Sequence, residues 1–266
     1  MTAWDEELRF ANEVADAADA ISTSLYLSAS LEVREKDDLT PVTEADTSIE
    51  SMVRLAVERT FPGDAVLGEE EGLAGSGDRV WVLDPIDGTK NFAGGVPIWG
   101  TLLALTVEGR PVVGVVSMPA IGERYAAAAG GGATLNGRPI RVSSVASVER
   151  AMLVSTGFKD WLTGPLAAPF ARLVQQARRT RGFGDCWGHM LVARGAAEMM
   201  LEPSLRVWDY SAVQVVVEEA GGRMTALDGS PLRDHSSALT VNAALFEEVA
   251  GRFVGLLGDR PEPPGE

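Results

Sequence analysis

The segment WVLDPIDGTKNF, residues 81–92, has the residue types and spacing of a cation site. A short apolar run ends at Asp84, and Asp87 follows three residues later. Pro85 fixes its own φ and keeps Asp84 out of the helical region. The two carboxylates should therefore point to one place, with the carbonyl of Ile86 between them. Carboxylate and carbonyl oxygens suit a hard cation such as Mg²⁺.

The next two residues of this segment could bind an anion beside that cation. Gly88 and Thr89 stand where a helix could begin, which leaves their backbone N–H groups without partners in the helix. Such groups favour a phosphate. A purely structural interpretation remains open, in which Asp84 and Asp87 serve as cap and turn residues between a strand and a helix.

Three further acids could join the same site. Glu69 directly follows the apolar run AVLG, as Asp84 follows its own strand, and this could bring the two side by side. Glu70 and Glu71 are read as a solvated charge run. Asp46 lies in a polar loop before a helix, and Asp209 lies at the start of another helix. Each of these two could also be a plain helix N-cap.

The sequence resembles the inositol monophosphatase family of metal-dependent, lithium-sensitive phosphatases. The resemblance rests on GEE at 68–70, WVLDPIDGTKNF at 81–92 and WDYSA with EAGG within 208–222. The loop from Lys36 to Asp46 agrees as well, and the similarity runs over roughly residues 5–250. In combination these motifs leave little room for the cap-and-turn interpretation.

The resemblance implies which residues hold the metal. Glu69, Asp84 and the carbonyl of Ile86 would bind a first Mg²⁺. Asp84, Asp87 and Asp209 would bind a second, and Glu69 would help to hold a weaker third. The expected cofactor is thus two to three Mg²⁺ per active site, with inhibition by Li⁺.

The resemblance also implies the catalytic and phosphate-binding residues. Thr89, paired with Asp46, would orient and deprotonate the attacking water. The backbone N–H groups of Gly88 and Thr89 would hold the phosphate, with Asp87 and Asp209 also on the substrate. Hydrolysis of a phosphate monoester needs charge neutralisation around the phosphoryl oxygens, and clustered cations supply it.

Within the family, the chain looks most like the histidinol-phosphate phosphatase branch. Lys90 follows the DGT motif, where inositol enzymes more often carry Thr. Asp185 and Glu202 would lie on the substrate side of the metals, where two carboxylates suit the ammonium group of histidinol phosphate. Further contributions to substrate binding are expected from Lys36, Arg181, Trp187 and His189. Trp187 could instead be a core residue, and His189 a structural histidine.

Two alternatives remain open at this stage. The first is an inositol-1-monophosphatase or a broad-specificity phosphatase that uses the same site. The second is a regulatory binding protein that keeps the fold and works through partners. An intact set of acids at 46, 69, 84, 87 and 209 argues against a role without catalysis.

The elements that position these residues alternate between helices and short strands. Three- and four-residue spacing predicts a helix from residue 4 to about 31, and another from about 46 to 59. Short apolar runs between 65 and 128 predict strands, several of them in hairpins. Beyond residue 144, strand 151–158 is followed by predicted helices at 165–179, 190–201 and 210–222.

The resemblance implies a mixed α/β fold, an αβαβα layered sandwich. We expect an N-terminal half, 1–143, with the metal motifs and a C-terminal half, 144–257, that completes the site. The tail, 258–266, is expected to be disordered. The active site would lie between the halves, because Asp209 must meet Asp84 across their boundary.

Composition limits the partners. The 266 residues include 23 Lys and Arg against 38 Asp and Glu, so the net charge is −15. Such a surface repels nucleic acids and anionic membranes. One cysteine excludes an internal disulfide and fits a reducing cytoplasm. No signal peptide or membrane span is predicted. The expected partner is a small phosphate ester, and the family resemblance implies a homodimer.

Overall fold

The computed structural model describes residues 2–29, 31–35 and 41–256. Its helices, in chain order, are α1 Asp5–Leu25, α2 Glu44–Thr60, α3 Thr89–Ala93, α4 Ala167–Gln176, α5 Asp185–Ala193, α6 Val207–Glu219 and α7 Phe246–Ala250. Single 3₁₀ turns lie at Pro119–Ile121, Val148–Arg150 and Phe158–Trp161.

The strands form three sheets. A small sheet pairs β1 Val33–Glu35 with β2 Pro41–Thr43. The strands of the large sheet are β3 Ala65–Gly68, β4 Gly72–Ala74, β5 Arg79–Asp87, β6 Gly100–Val107, β7 Arg110–Met118, β8 Glu123–Ala128, β9 Ala133–Leu135 and β10 Arg138–Pro139. Those of the third sheet are β11 Met152–Ser155, β12 Arg179–Arg181, β13 Met199–Leu205, β14 Gly222–Thr225 and β15 Ser236–Asn242.

The large sheet has eight strands in the order β10-β9-β8-β7-β6-β5-β3-β4. Strand β5 lies inside it, antiparallel to β6 and parallel to β3. The ends of β3 and β5 that carry Glu69 and Asp84 therefore lie at the same edge of the sheet. The parallel pairing sets Gly68 opposite Leu83, which brings the next residues of both strands together as the sequence predicted.

Helices α1 and α2 cover one face of the large sheet. Alternate residues of β5 and β6, among them Trp81 and Leu103, point to this face and pack with Phe10 of α1 and Ile49 of α2. The residues between them, such as Val82 and Leu102, point to the opposite face and pack against α5 and α6. This period-2 alternation buries both faces of the sheet.

The five-stranded sheet lies beyond α5 and α6, in the order β12-β11-β13-β15-β14. Val154 and Met200 on one face of it pack against α5. Leu153 and Leu239 on the other face pack with residues of α4 and α7. The layers are therefore helix, sheet, helix, sheet, helix, which confirms the predicted αβαβα sandwich.

Two predicted elements differ from the structure. The first helix ends at Leu25 rather than near residue 31, since Tyr26 is already extended. The helix predicted for 190–201 is wrong in its second half. Helix α5 ends at Ala193, Gly195 has φ +73°, and strand β13 begins at Met199. A short apolar run that is buried on all sides shows neither the helical nor the strand periodicity, so the sequence pattern alone does not distinguish a helix from a strand here.

Two of the predictions concern residues that the structure does not describe, and the predicted division into two halves stays a prediction. Lys36 and the tail at 258–266 are not among the described residues. The eight-stranded sheet spans 65–139 and the five-stranded sheet spans 152–242, on either side of the predicted boundary, but α6 packs on the first sheet.

In the described part of the chain, no helix combines the length and apolar character needed to cross a membrane.

Candidate active site

Asp84, Asp87 and Asp209 form a carboxylate cluster at the edge of the large sheet. One oxygen from each of the three lies within 4.8 Å of the others. In β5, Asp84 pairs with Leu102 and Asp87 with Gly100, so β5 has one extra residue between the two pairs. Such a bulge changes the strict alternation of side chains along the strand. It allows Asp84 and Asp87 to face the same side, where α6 brings Asp209.

Burial and mutual repulsion raise the pKa values of this cluster. Burial and then the neighbouring carboxylates, first Glu69, raise the pKa of Asp84 well above its usual range. Burial, followed by the carboxylates of Asp185 and Asp209, does the same to the pKa of Asp87. Oδ1 of Asp84 is buried without a hydrogen-bond partner in the described structure. A bound cation would relieve the repulsion between these buried carboxylates. Carboxylate oxygens are also the ligands that a hard divalent cation prefers.

Asp46 and Asp209 occupy equivalent positions in two helices. Each is the third residue of its helix, and one oxygen accepts the backbone N–H that precedes the helix: Thr43 to Asp46 at 2.7 Å and Arg206 to Asp209 at 2.8 Å. They are therefore capping-box residues rather than N-caps. Oδ1 of Asp46 is buried and has no hydrogen-bond partner in the described chain. The capping box therefore uses one carboxylate oxygen of Asp46 and leaves the other able to accept a further hydrogen bond.

The pKa values of these two acids are raised as well. Burial raises the pKa of Asp46 to about 6, against the opposing effect of the hydrogen bonds from Thr43. Burial raises the pKa of Asp209 to about 7. The carboxylate of Glu69 adds to both shifts, which places Glu69 within electrostatic reach of both acids.

Glu69 lies in the turn that follows β3. Its backbone N–H donates to the carbonyl of Leu83 at 3.2 Å, which continues the pairing of β3 with β5. With Asp84, Asp87 and Asp209 it lines a cavity of about 480 Å³. The structure therefore brings the expected metal ligands around one space.

Gly88 and Thr89 form the other side of this cavity. Gly88 has φ +82°, and a Cβ there would lie 3.1 Å from the carbonyl oxygen of Ile98. Both facts favour glycine. The hydroxyl of Thr89 donates to the carbonyl of Ile86 at 2.9 Å. A hydrogen bond from Thr89 to Asp46 is not among those of the described residues, so their pairing stays a prediction.

A second cavity of about 630 Å³ adjoins the first, and Asp87, Asp185 and Asp209 line both. Its walls carry Asp160 and Glu202, and none of its lining residues within the described ranges is Lys or Arg. Asp160 is not among the residues that the sequence motifs indicate. The residue stands in the 3₁₀ turn after β11, and the FKDW segment has no motif that could have revealed it.

Asp185 is held at the junction of the two cavities. Its carboxylate accepts from Nδ2 of Asn91 at 2.8 Å, and its backbone has φ +54°. The next residue, Cys186, donates its backbone N–H to Asp87 at 2.6 Å. Helix α5 therefore begins against the carboxylate cluster, and a contact of Asp185 with the substrate stays a prediction. Burial raises the pKa of Asp185, and Lys90 opposes this shift.

Glu202 and His189 lie deeper in the second cavity. Burial, followed by Asp185 and Asp87, raises the pKa of Glu202 well above its usual range. Among the described residues, none donates a hydrogen bond to its carboxylate, although the residue is only 3% exposed. His189 places Nδ1 2.7 Å from the hydroxyl of Thr240, and burial lowers its pKa to about 3. His189 is thus uncharged at neutral pH.

Two expected substrate contacts lie elsewhere. Trp187 packs against Phe183 and lines a separate cavity of about 290 Å³ that also touches Asp185. Arg181 is exposed, and its guanidinium donates to the carbonyl of Thr180. Neither residue lines the two cavities beside the carboxylate cluster.

The comparisons with known proteins agree with this geometry. Residues 3–255 match the profile of the Inositol monophosphatase family. The chain is 44% identical over 254 residues to a histidinol-phosphatase of Mycobacterium tuberculosis, covering 93% of this chain and 98% of that protein. It is 41% identical over 256 residues to a histidinol-phosphatase of Streptomyces coelicolor, covering 92% and 96%.

Solved structures give the same result. An inositol monophosphatase from Zymomonas mobilis superposes with a TM-score of 0.84 at 31% identity, covering 95% of this chain and 99% of that chain. Members of the family hydrolyse small phosphate esters with the help of metal ions, and the carboxylate cluster suits such ions. The match extends over nearly the whole chain, which therefore belongs to the inositol monophosphatase family of phosphomonoesterases.

Proposed function

We propose that the protein is a Mg²⁺-dependent histidinol-phosphate phosphatase, which converts L-histidinol phosphate and water to L-histidinol and phosphate in histidine biosynthesis. The names of the relatives at 41–44% identity support this substrate. The proposal also depends on the charge distribution of the two adjoining cavities.

The observation that carries the proposal is the acidic wall of the larger cavity. A substrate whose phosphate lies at the cation-binding cluster extends its other end toward Asp185, Asp160 and Glu202. The described lining of this larger cavity contains no Lys or Arg, while Lys90, which lines the smaller cavity, offsets part of the charge at Asp185. An amino alcohol with a protonated amine fits the remaining negative charge, whereas a cyclic polyol leaves that charge without a partner.

The proposed metal ligands are acids that line the smaller cavity, together with one backbone carbonyl. Glu69, Asp84, Asp87, Asp209 and the carbonyl of Ile86 would hold two to three Mg²⁺. When bound, the cations neutralise the phosphoryl oxygens and lower the pKa of water. The unpartnered Oδ1 of Asp84 and the raised pKa values of the cluster support a cation here. Inhibition by Li⁺ is part of the proposal.

The protein's own groups would orient the nucleophile and hold its proton. The hydroxyl of Thr89 can position a water while it donates to Ile86. Asp46, whose pKa is about 6, is ionised at neutral pH and can accept the proton through its unpartnered Oδ1. The N–H groups of Gly88 and Thr89 would hold the phosphate against the cluster. His189 would offer a neutral ring nitrogen to the organic part of the substrate.

Genetic complementation tests the proposal in a cell. The gene should restore growth without histidine to a bacterial auxotroph that lacks histidinol phosphatase, and the Asp84→Asn variant should not. Failure of the wild-type gene, with the protein present and folded, would contradict the assignment. Rescue of a strain deficient in inositol phosphatase alone would favour the inositol alternative.

We also propose that the protein is a homodimer and works in the cytoplasm. Family resemblance favours a homodimer, and the single, buried Cys186 fits a reducing cytoplasm. Sedimentation of the purified protein at several concentrations distinguishes a dimer from a monomer.

A further inference from the structure

Glu50 is a buried acid that the proposed reaction does not use. It lies on α2, fully buried, under the turn that joins β3 to β4. Its carboxylate accepts from Nε and Nη2 of Arg54 at 3.1 and 2.6 Å. It also accepts the backbone N–H groups of Glu70 at 3.0 Å and Glu71 at 2.9 Å. One side chain therefore fixes two successive peptide groups of this turn.

Arg54 balances the charge of Glu50 and holds the same turn from another direction. Its Nη2 donates to the carbonyl of Gly72 at 2.6 Å, and its Nε lies 3.3 Å from the carboxylate of Glu71. The side chain of Arg54 is only 14% exposed, so the pair is shielded from solvent. The ion pair spans the whole turn, from the end of β3 to the start of β4.

Gly68 provides the space that this arrangement needs. A Cβ at this position would lie 2.2 Å from Oε1 and 2.5 Å from Oε2 of Glu50, far inside van der Waals contact. The carboxylate of Glu50 is therefore packed directly against the residue that precedes Glu69. A side chain at 68 would force either the turn or the ion pair to move.

We propose that Glu50 and Arg54 are a positioning pair, which fixes the 69–71 turn so that the carboxylate of Glu69 faces Asp84 and Asp209. Three successive glutamates repel one another, and without a fixed backbone Glu69 could turn to solvent. Partners that orient a metal ligand contribute to metal affinity even when they do not touch the ion. The inference rests on the part of the proposed function that assigns Glu69 to the metal.

The test is direct metal binding to the full chain, without substrate. Gln is nearly the size of Glu, so Glu50→Gln keeps the packing and removes the charge that Arg54 and the two N–H groups require. Mn²⁺ binding, measured by electron paramagnetic resonance of the free ion, should be weaker by roughly tenfold to hundredfold. Binding at wild-type affinity in the folded variant would overturn the inference.

Asp64→Asn is the matched control. Asp64 precedes the other end of β3 and accepts from Nε of Arg79 at 2.9 Å and Nε1 of Trp81 at 3.0 Å. This substitution also disrupts a shielded ion pair, so it should lower the melting temperature while Mn²⁺ affinity stays as in the wild type. An equal loss of affinity in Asp64→Asn would show that general destabilisation explains the effect, and the positioning role would fall.

Two further variants keep the test decisive. If Glu50→Gln does not fold, Gly68→Ala must weaken Mn²⁺ binding instead, because its methyl group displaces the Glu50 carboxylate; wild-type affinity there would overturn the inference. Glu69→Gln is the reference for the ligand itself. Unchanged binding in Glu69→Gln would remove Glu69 from the proposed metal ligands and would overturn the positioning role with it, while leaving the proposed activity to the kinetic and genetic tests. Weaker binding in Glu69→Gln with unchanged binding in Glu50→Gln defeats the positioning role alone.

Discussion

At the scale of the residue, the site depends on a bulge in β5, which lets Asp84 and Asp87 face the same side. In the sequence, Asp87 follows Asp84 by three residues and Pro85 lies between them, and this spacing predicts that the two carboxylates point to one place. Glu50 and Asp160 carry no such signal, because their contacts come from segments that meet only in the folded chain.

Asp84→Asn tests the metal cluster itself. Turnover in saturating Mg²⁺ should fall by roughly 10²–10³-fold, since a ligand that stabilises the charge of the reaction is lost. The metal-free variant should melt at a higher temperature than the metal-free wild type, because one buried, repelling carboxylate is gone. Steady-state kinetics and thermal melts in a chelator check both effects. Undiminished turnover would remove the metal-site assignment.

Asp160→Asn tests the acidic wall of the larger cavity. Asp160 is exposed, so its attraction to a cationic substrate should be about 1 kcal/mol, or roughly fivefold in KM for histidinol phosphate. The KM for a phosphate ester that carries no amine, such as glycerol 2-phosphate, should not rise. Asp78→Asn is the control, because Asp78 is also exposed but lines neither cavity, so its loss should leave both KM values unchanged. Equal effects on the two substrates would show that Asp160 does not select by charge.

At the scale of the element, helix starts deliver two of the site's acids. Thr43 and Asp46 form a capping box at the start of α2, and Asp209 takes the equivalent position in α6. Sequence periodicity predicts both helices, and Asp46 is expected either to pair with Thr89 or to be a plain cap, and Asp209 either to bind metal or to be a plain cap. In the structure each acid uses one oxygen for the cap, so the two interpretations are compatible. The first three residues of β13, 199–201, fall in the helix predicted for 190–201, because this apolar run has no clear period.

Thr43→Ala tests how the capping box tunes Asp46. The hydroxyl of Thr43 donates to Asp46 at 2.6 Å and accepts from the N–H of Ala45 at 3.2 Å. Its loss should destabilise the protein by about 1 kcal/mol. Because the hydrogen bond lowers the pKa of Asp46, the acid limb of the kcat/KM profile should move to higher pH.

Thr47→Ala is the control for this change. It removes an exposed hydroxyl of the same helix, whose one hydrogen bond within the described residues is to the carbonyl of Glu44 at 3.3 Å. Neither stability nor the pH profile should change appreciably. An acid limb that stays at its wild-type pH in Thr43→Ala would show that Asp46 does not set it.

At the scale of the whole molecule, the site lies where the layers meet. Strand β5 of the large sheet supplies both Asp84 and Asp87, while α6, packed between the two sheets, supplies Asp209. The layered fold was predicted through family resemblance, since composition and periodicity show only that helices and strands alternate. Part of the net charge of −15 is concentrated in this one site, where cations would offset it.

This concentration of charge predicts how the metal-free protein depends on pH. The folded-state pKa is about 6 for Asp46 and about 7 for Asp209, both above the ordinary value of 3.8. The folded chain therefore binds more protons than the unfolded chain between these values, and these acids stabilise it only at low pH. Their contribution should be lost as the pH rises through 6 to 7.

Thermal melts in a chelator between pH 5 and 8 check this expectation. The melting temperature of the wild type should fall across the range more steeply than that of Asp209→Asn, and Mg²⁺ should restore it most at pH 8. An equally steep fall in Asp209→Asn would contradict the assigned pKa.

The central claim is that the site hydrolyses a phosphate ester with a cationic leaving group. The most direct measurement is kcat/KM in Mg²⁺ for L-histidinol phosphate, inositol 1-phosphate, fructose 1,6-bisphosphate and adenosine 3′,5′-bisphosphate, with the same purified protein. We expect the highest value for L-histidinol phosphate. A higher value for any of the other three substrates would contradict the account.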